Sequence, residues 1–349
     1  MSSTKTTYKD TLSLIAEILS FSNSTTQLRH KLESEPINWD KFVELSSSQL
    51  VLTTCYCRLK EKQLLDLIPN DLVLYLEELT SINRNRNLTL IDEIKAITQA
   101  FDVHNINYVL LKGAAILIGH QLKDLGERMV GDVDILVSSE HISEAYQLIK
   151  DLGYNQSKGF NYDVTNFRHL PRQFTDDKMA VIELHSSILD LKFKHLIDED
   201  LIFNTKIKHQ DGIIPSAYAM NIINVMGLQI NSKGYQYKHW FLRNLYDSLV
   251  LKLDQQTDLL NDYKNNTYFI DYLSKYHAVF KCLPLTVSNR KLSRHIRYYD
   301  FKFRQFWLHQ IIYKTSYIFY SIYDRITLFL NNSSYRSHVL KRYISTSKV

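Results

Sequence analysis

The sequence is poor in the residues that turn a chain. It has 9 glycines and 5 prolines in 349 residues, which argues against a many-turned β architecture and favours long helices with short connections. Cysteine is scarce too. Cys55 and Cys57 form a Cys-x-Cys pair with no other Cys or His at ligand spacing, so no zinc site is legible, and with Cys282 they read as buried thiols in a reducing compartment. Long apolar runs are missing as well. Glu17 interrupts the apolar run at 12–19, so the N-terminus lacks a secretory shape, and no uncharged stretch near the C-terminus approaches the roughly 20 residues of a spanning helix. The expected location is the cytoplasm.

What is present is ordinary for a folded protein: 45% hydrophobic and 23% charged residues. The formal charge of +5 hides an asymmetry. Residues 290–349 carry twelve Lys and Arg against Asp300 and Asp324, a net of +10, so the remainder sums to −5. Such a tail suits an acidic partner (nucleic acid, a phosphorylated ligand or a membrane surface), and it equally suits a solvated helix face balancing an acidic body. Within it Trp307, Ile311, Ile318, Ile322, Ile326 and Phe329 keep helical spacing. Packing of that face against the body is the expectation. RNA contact through Tyr298, Tyr299, Tyr313 and Tyr317, or docking on a membrane surface, are the alternatives.

Residues 5–100 read as helical. Leu12, Ile15, Ala16 and Leu19 follow one apolar helix face, and further helices are expected near 39–59 and 88–101. The texture changes at Asn107. A short apolar run, 108–111, stops at Lys112-Gly113 and is followed by a helix over 114–120. A polar loop, 123–131, leads into 132–137, which alternates and then becomes wholly apolar like a central strand. Ser138 or Ser139 caps a helix ending at Gly153, and 167–174 with 179–186 form a hairpin around Asp176-Asp177-Lys178. After about residue 189 the pattern is helical to the end.

The chemistry centres on Asp132 and Asp134. Residues two apart on a strand share a face, and two carboxylates held together favour a divalent cation between them. The motif alone says little. With 24 aspartates, chance supplies about 1.6 Asp-x-Asp pairs, and two occur. The other, Asp198 with Asp200, lies in a polar stretch. Asp132 and Asp134 differ in context: a strand ending in glycine precedes them and an acid-bearing strand follows. That acid is Glu183, a charge inside an apolar strand, which needs a partner, a metal or an edge facing water. Gly113 fits a strand-to-helix turn where main-chain amides meet phosphate, with Lys112 beside it. Arg128 either neutralises phosphate or pins the loop through a carboxylate. His185 shares a face with Glu183 and fits a hydrogen bond behind a metal-ligating carboxylate, a base, a substrate contact or a structural histidine. Arg243 and Asp247, four apart, suit a helix-supporting pair, and Arg243 or Lys238 is a candidate triphosphate contact.

The stretch 108–154, with Leu-Leu-Lys-Gly-Ala-Ala, Arg128, Asp132-Val133-Asp134-Ile135-Leu136-Val137 and Gly153-Tyr154, resembles the uncharacterised nucleotidyltransferase family of the polymerase-β-like superfamily. Ile182-Glu183-Leu184-His185 is similar to its second strand motif. The resemblance extends over about 40–270. It implies an α+β fold: a small mixed sheet at 101–200 between a helical region at 1–100 and a helical region at 201–349. It implies an NTP cosubstrate and two Mg²⁺ ions, with Asp132, Asp134 and Glu183 as metal ligands and catalytic acids. Lys112, Gly113, Ala114 and Arg128 are then the nucleotide-binding residues. The wider superfamily has Gly-Gly or Gly-Ser where this chain has Gly113-Ala114, so phosphate contact rests there on main chain and Lys112. The acceptor implied is a small molecule or an RNA end, reached by the basic tail. A catalytically silent nucleotide-binding or protein-interaction module on the same fold is the competing expectation.

Overall fold

The computed structural model describes residues 6–159, 161–164, 168–281 and 290–346, with side chains in the last segment to residue 341. Four short helices come first: α1 (Tyr8–Leu19), α2 (Thr25–Ser34), α3 (Trp39–Ser48) and α4 (Leu52–Glu61). A 34-residue helix, α5 (Asn70–Val103), leads into β1 (Tyr108–Leu110), α6 (Lys112–Ile118), β2 (Val133–Val137), α7 (Ile142–Asp151), β3 (Gln156–Lys158), β4 (Arg172–Phe174) and β5 (Ile182–His185). Then follow α8 (Glu199–Asn204), β6 (Ile207–His209), β7 (Gly212–Ile214), α9 (Ala217–Met226), α10 (Gly234–Tyr237), α11 (Leu242–Val250), α12 (Thr257–Asp262), α13 (Thr267–Val279), α14 (Arg290–Arg304), α15 (Phe306–Asn331) and α16 (Ser333–Thr346). A π turn, Gly227–Asn231, separates α9 from α10.

The class is α+β, as expected. One mixed sheet of five strands has the order β1-β2-β5-β4-β3, and β6 with β7 forms a separate hairpin. β2 runs antiparallel to β1 and parallel to β5, with Asp134 opposite Glu183 and Leu136 opposite His185. The pleat sorts the side chains onto two faces. Leu110, Val133, Ile135, Ile182 and Leu184 pack with α5, α6 and α7. Val109, Leu111 and Leu136 face the other way, into a core shared by the N-terminal helices and α9, α11 and α13. By alternation Asp134 lies on the Leu136 face of β2, toward those helices.

Several expectations change in detail. The helix expected over 39–59 is two, because the chain breaks between α3 and α4 where Leu50 takes φ +54°. The helix expected near 88–101 is the second half of α5. The helix after β1 starts at Lys112, and α7 starts at Ile142 without a serine cap, since the Ser138 hydroxyl is bound instead to His141 Nδ1 at 3.0 Å. The hairpin is β4 with β5; the proposed start of its first arm at Phe167 lies outside the described residues, as does Cys282. Cys55 and Cys57 are buried thiols. The helical reading after 189 missed β6 and β7.

Of the α15 face expected to pack on the body, Phe329 is half-buried and the rest is not covered. Trp307, Ile311, Ile318, Ile322 and Ile326 are each more than half exposed. The body is met instead by the tyrosine face: Tyr313, Tyr317 and Tyr320 pack their rings on Tyr237 at 5.9, 5.8 and 6.0 Å between centroids.

Candidate active site

β2 and β5 put the acids together. Leu111 N–H donates to the Asp134 carbonyl at 2.9 Å and Val133 N–H to that of Val181 at 2.9 Å, so the strand ends are fixed where the carboxylates emerge. Asp134, Glu183 and His185 are all buried, and one ligand atom from each lies within 4.8 Å of the others. Asp132, just before β2, stands outside that trio and keeps a side chain 37% exposed.

Each acid has a basic neighbour. Lys112 Nζ is 2.5 Å from Asp134 Oδ1, and His185 Nε2 is 2.8 Å from the same oxygen and 3.4 Å from Glu183 Oε2. A carboxylate only accepts, so Nε2 carries the hydrogen in this arrangement. Arg172 of β4 bridges the remaining pair, with Nε on Glu183 Oε1 and Nη2 3.5 Å from Asp132 Oδ2.

Proton affinities divide accordingly. Burial works against ionised Asp134, yet the Lys112 charge and the His185 hydrogen bond hold its carboxyl well below the usual range. Glu183 is likewise held down by His185 against the effect of burial. Asp132 moves up, because burial is reinforced by the charges of Asp134 and Glu183 and only partly offset by Lys112 and Arg172. Two firm anions and one more basic carboxyl therefore share the strand ends.

Arg128 takes the second of the two roles open to it. Its Nε and Nη2 donate to Asp247 Oδ1 and Oδ2 at 2.7 and 2.8 Å, a buried two-pronged contact with α11. Its loop is held from the neighbouring helices. Asn83 and Asn87 of α5 donate to the carbonyls of Gly126, Leu125 and Arg128 at 2.8, 2.6 and 2.8 Å, and Thr54 of α4 donates to that of Glu127 at 2.7 Å. The glycine at 113 is explained by this packing. A Cβ there would stand 2.5 Å from Arg128 Nη1 and 3.1 Å from Val130 Cγ1. Ala114 follows in the first turn of α6 and is buried.

These groups line a cavity of about 230 Å³ between the sheet and the α9–α11 region. Lys112, Gly113, Arg128, Asp132 and Asp134 form one wall; Asn224, the π turn, Arg243 and Asp247 form the other. π turns interrupt helices most often at functional sites. Arg243 does not pair with Asp247, whose oxygens are taken by Arg128. Burial and the Arg128 charge lower its pKa, and its described contacts are the Met129 carbonyl at 3.5 Å and the ring of Phe241. Lys238 is engaged elsewhere, 2.9 Å from Asp271. A larger cavity of about 560 Å³, lined by Tyr8, Trp240, Phe306 and Tyr313 among others, shares Phe241 with this one.

Sequence reasoning missed Arg172 altogether. Its only signal was a basic residue on the hairpin arm that faces an acid-bearing arm. It also missed Asp247 as the partner of Arg128, which lies 119 residues away.

A family model described as an uncharacterised nucleotidyltransferase matches residues 35–247, more than half of the chain. Among curated proteins, none matches the chain.

Proposed function

Because the chain belongs to the uncharacterised nucleotidyltransferase family, we propose that it moves a nucleoside monophosphate from an NTP to an acceptor and releases pyrophosphate, with Mg²⁺ as cofactor. The observation that carries this reading is the placement of Asp134 and Glu183 at one register of two parallel strands, buried and on one face beside a polar cavity. The donor chemistry fits a divalent cation. Asp132, Asp134 and Glu183 offer oxygen ligands, and three carboxylates outnumber the two permanent cations, Lys112 and Arg172, that touch them. The same three acids would hold a second ion. When bound, the metal supplies positive charge at the transferred phosphoryl group and makes the acceptor hydroxyl easier to deprotonate.

The remaining work falls to the chain's own groups. Lys112 is 40% exposed and leaves Asp134 to hold the triphosphate. Arg243, on the opposite wall and with no carboxylate partner among the described residues, contacts phosphate from the other side. Gly113 and Ala114 contribute first-turn N–H groups that have no acceptor within their helix. Arg128 shapes the wall through Asp247 instead of touching the nucleotide. Asp132, the acid of the three with access to solvent, accepts the proton of the acceptor hydroxyl, and Glu183 assists from its buried position. His185 orients Asp134 from behind. The acceptor, a small molecule or an RNA end, enters from the Phe241 side, where the aromatic cavity adjoins.

The test is metal-dependent nucleotide binding by the purified protein with each labelled NTP, followed by mass spectrometry of cell extract and tRNA incubated with enzyme, Mg²⁺ and NTP. Asp134→Ala abolishes metal-dependent binding while circular dichroism stays native. Nucleotide binding indifferent to Asp132, Asp134 and metal defeats the proposal. It would leave the silent binding module in its place.

A further inference from the structure

The exposed face of α15 has no role in the chemistry above, and we infer that it lies in the plane of an anionic lipid surface. The helix has 26 residues and a length of about 39 Å. One side is occupied by the body through the tyrosines on Tyr237, and His309 stacks on Trp240 at 5.1 Å between centroids. The other side is bare. Trp307, Ile311, Ile318, Ile322, Ile326 and Leu330 are each more than half exposed, and at 100° per residue they fall in a stripe about 140° wide. A continuous apolar face of this size on a folded protein marks a binding surface.

Side-chain type and charge select the occupant. Lys314 and Arg325 fall within about 20° of Trp307, on one margin of the stripe. Residues 306–346 carry five Lys and Arg against one Asp. A second copy of the chain seated on this face would set like charges, the basic margins formed by Lys314 and Arg325, near one another. RNA needs stacking platforms, but Tyr299 is buried with its hydroxyl donating to Asp271 at 3.0 Å, and Tyr313 and Tyr317 lie against Tyr237. The exposed aromatics Trp307, Phe319 and Tyr323 are outnumbered along α15 by the exposed Ile311, Ile312, Ile318, Ile322, Ile326 and Leu330. The bare stripe is mainly isoleucine and leucine. An anionic bilayer satisfies both halves of the pattern: acyl chains take the aliphatic stripe, and headgroup phosphates take the basic margin. No described helix is long and apolar enough to cross a membrane, so α15 lies on the surface.

The experiment is flotation of the full-length protein with vesicles of phosphatidylcholine mixed with phosphatidylglycerol, and with vesicles of phosphatidylcholine alone. The protein floats with the anionic vesicles. Ile318→Glu and Ile322→Glu each lower binding by about tenfold. Lys314→Glu and Arg325→Glu each lower it by about fivefold, and added salt erases that difference. These side chains are solvent-facing, and unchanged melting curves verify that the variants fold. Failure of the wild-type protein to float with anionic vesicles overturns the inference. So does a homodimer, or single-stranded RNA binding, that is lost on Ile318→Glu while vesicle binding is not.

Discussion

Replacing Asp247 with alanine tests how the wall of the cavity is held. Arg128 gives Asp247 two hydrogen bonds, at 2.7 and 2.8 Å, and both side chains are less than a tenth exposed. Its Nη1 has one other partner, the Met129 carbonyl at 3.3 Å. Truncating Asp247 therefore leaves a buried guanidinium without its hydrogen-bonded carboxylate, while the Asp134 charge still acts on it. Breaking a buried pair from one side costs about 3–5 kcal/mol, a large part of a typical stability of roughly 5–15 kcal/mol. Asp247→Asn keeps the shape and one acceptor, and its cost is about 2 kcal/mol. The decisive comparison adds Arg128→Met. With both charges gone nothing ionised is stranded, so the double variant is more stable than Asp247→Ala alone, by about 2 kcal/mol or more. Urea unfolding with matched m-values gives all four corners of the cycle. If the two losses simply add, the pair is not coupled, and the account of how Arg128 is positioned fails.

Gly113→Ala drives a methyl group into Arg128 Nη1 at 2.5 Å, against a guanidinium that Asp247 prevents from yielding; the expected loss is about 1–3 kcal/mol in urea unfolding. Arg243→Ala removes a cation that has no carboxylate partner among the described residues, so stability shifts by less than about 0.5 kcal/mol while the Kd for NTP, read by titration calorimetry, weakens by about tenfold or more. Burial pushes His239, His277 and His309 down from 6.5 to about 4. Between those values the unfolded chain binds more protons than the folded one, so their contribution is complete above pH 6.5 and is lost as the pH falls toward 4. The slope is at most about 1.4 kcal/mol per pH unit for each histidine. Urea midpoints across that window measure it, and His277→Gln flattens the profile.

The parts of this molecule that a single sequence discloses are those whose cause is local. Residues 132–137 read as a central strand because β2 is buried on both faces and its composition records that. Lys112-Gly113 reads as a strand-to-helix turn for similar reasons. The pairing of Asp134 with Glu183 is different in kind. Alternation assigns each acid to a face of its own strand, but only the order β1-β2-β5 makes those faces the same. Arg172 was invisible because an arginine in a three-residue strand looks like any solvent-facing position until the register sets it against Glu183. Within the helical reading of 5–100 the span of α5 was expected to hold a helix only near 88–101, whereas α5 runs on through Asn83, Arg84, Asn85, Arg86 and Asn87, residues of modest helix propensity on the asparagine side. They are helical because their side chains satisfy the neighbouring loop: Asn83 and Asn87 cap its carbonyls, and Arg84 holds Asp124 at 2.9 and 2.7 Å. The β6–β7 hairpin left a weak signal, since its two-residue loop, Gln210-Asp211, is followed by a glycine at φ +153° that opens β7, and the surrounding helical texture outweighed it. The exposed stripe on α15 carries the same periodicity as a buried one. Periodicity records which residues share a face and is silent on what covers it.

Lys112 shows how backbone and charge are traded at this site. Its φ is +48°, in the left-handed region where glycine is at home. A side chain there costs roughly 1 kcal/mol. Glycine is used at the next position instead, where the demand is spatial: Gly113 makes room for Arg128. A chain seeking only the easiest turn would place glycine at 112 as well. Keeping lysine puts Nζ 2.5 Å from the buried Asp134, the acid with the strongest case for remaining ionised. Among the described residues, Asp132, Asp134 and Glu183 pair with Lys112 and Arg172 as permanent cations, so negative charge remains in excess even with both in place. Arg128 does not relieve that excess, since Asp247 cancels it. Arg243 lines the same cavity with no carboxylate partner among the described residues. The two walls are thus unbalanced in opposite senses, acids in surplus on the strand side and a guanidinium without a paired acid among the described residues across from them. A ligand that brings phosphate to Arg243 and a divalent cation to Asp134 corrects both at once.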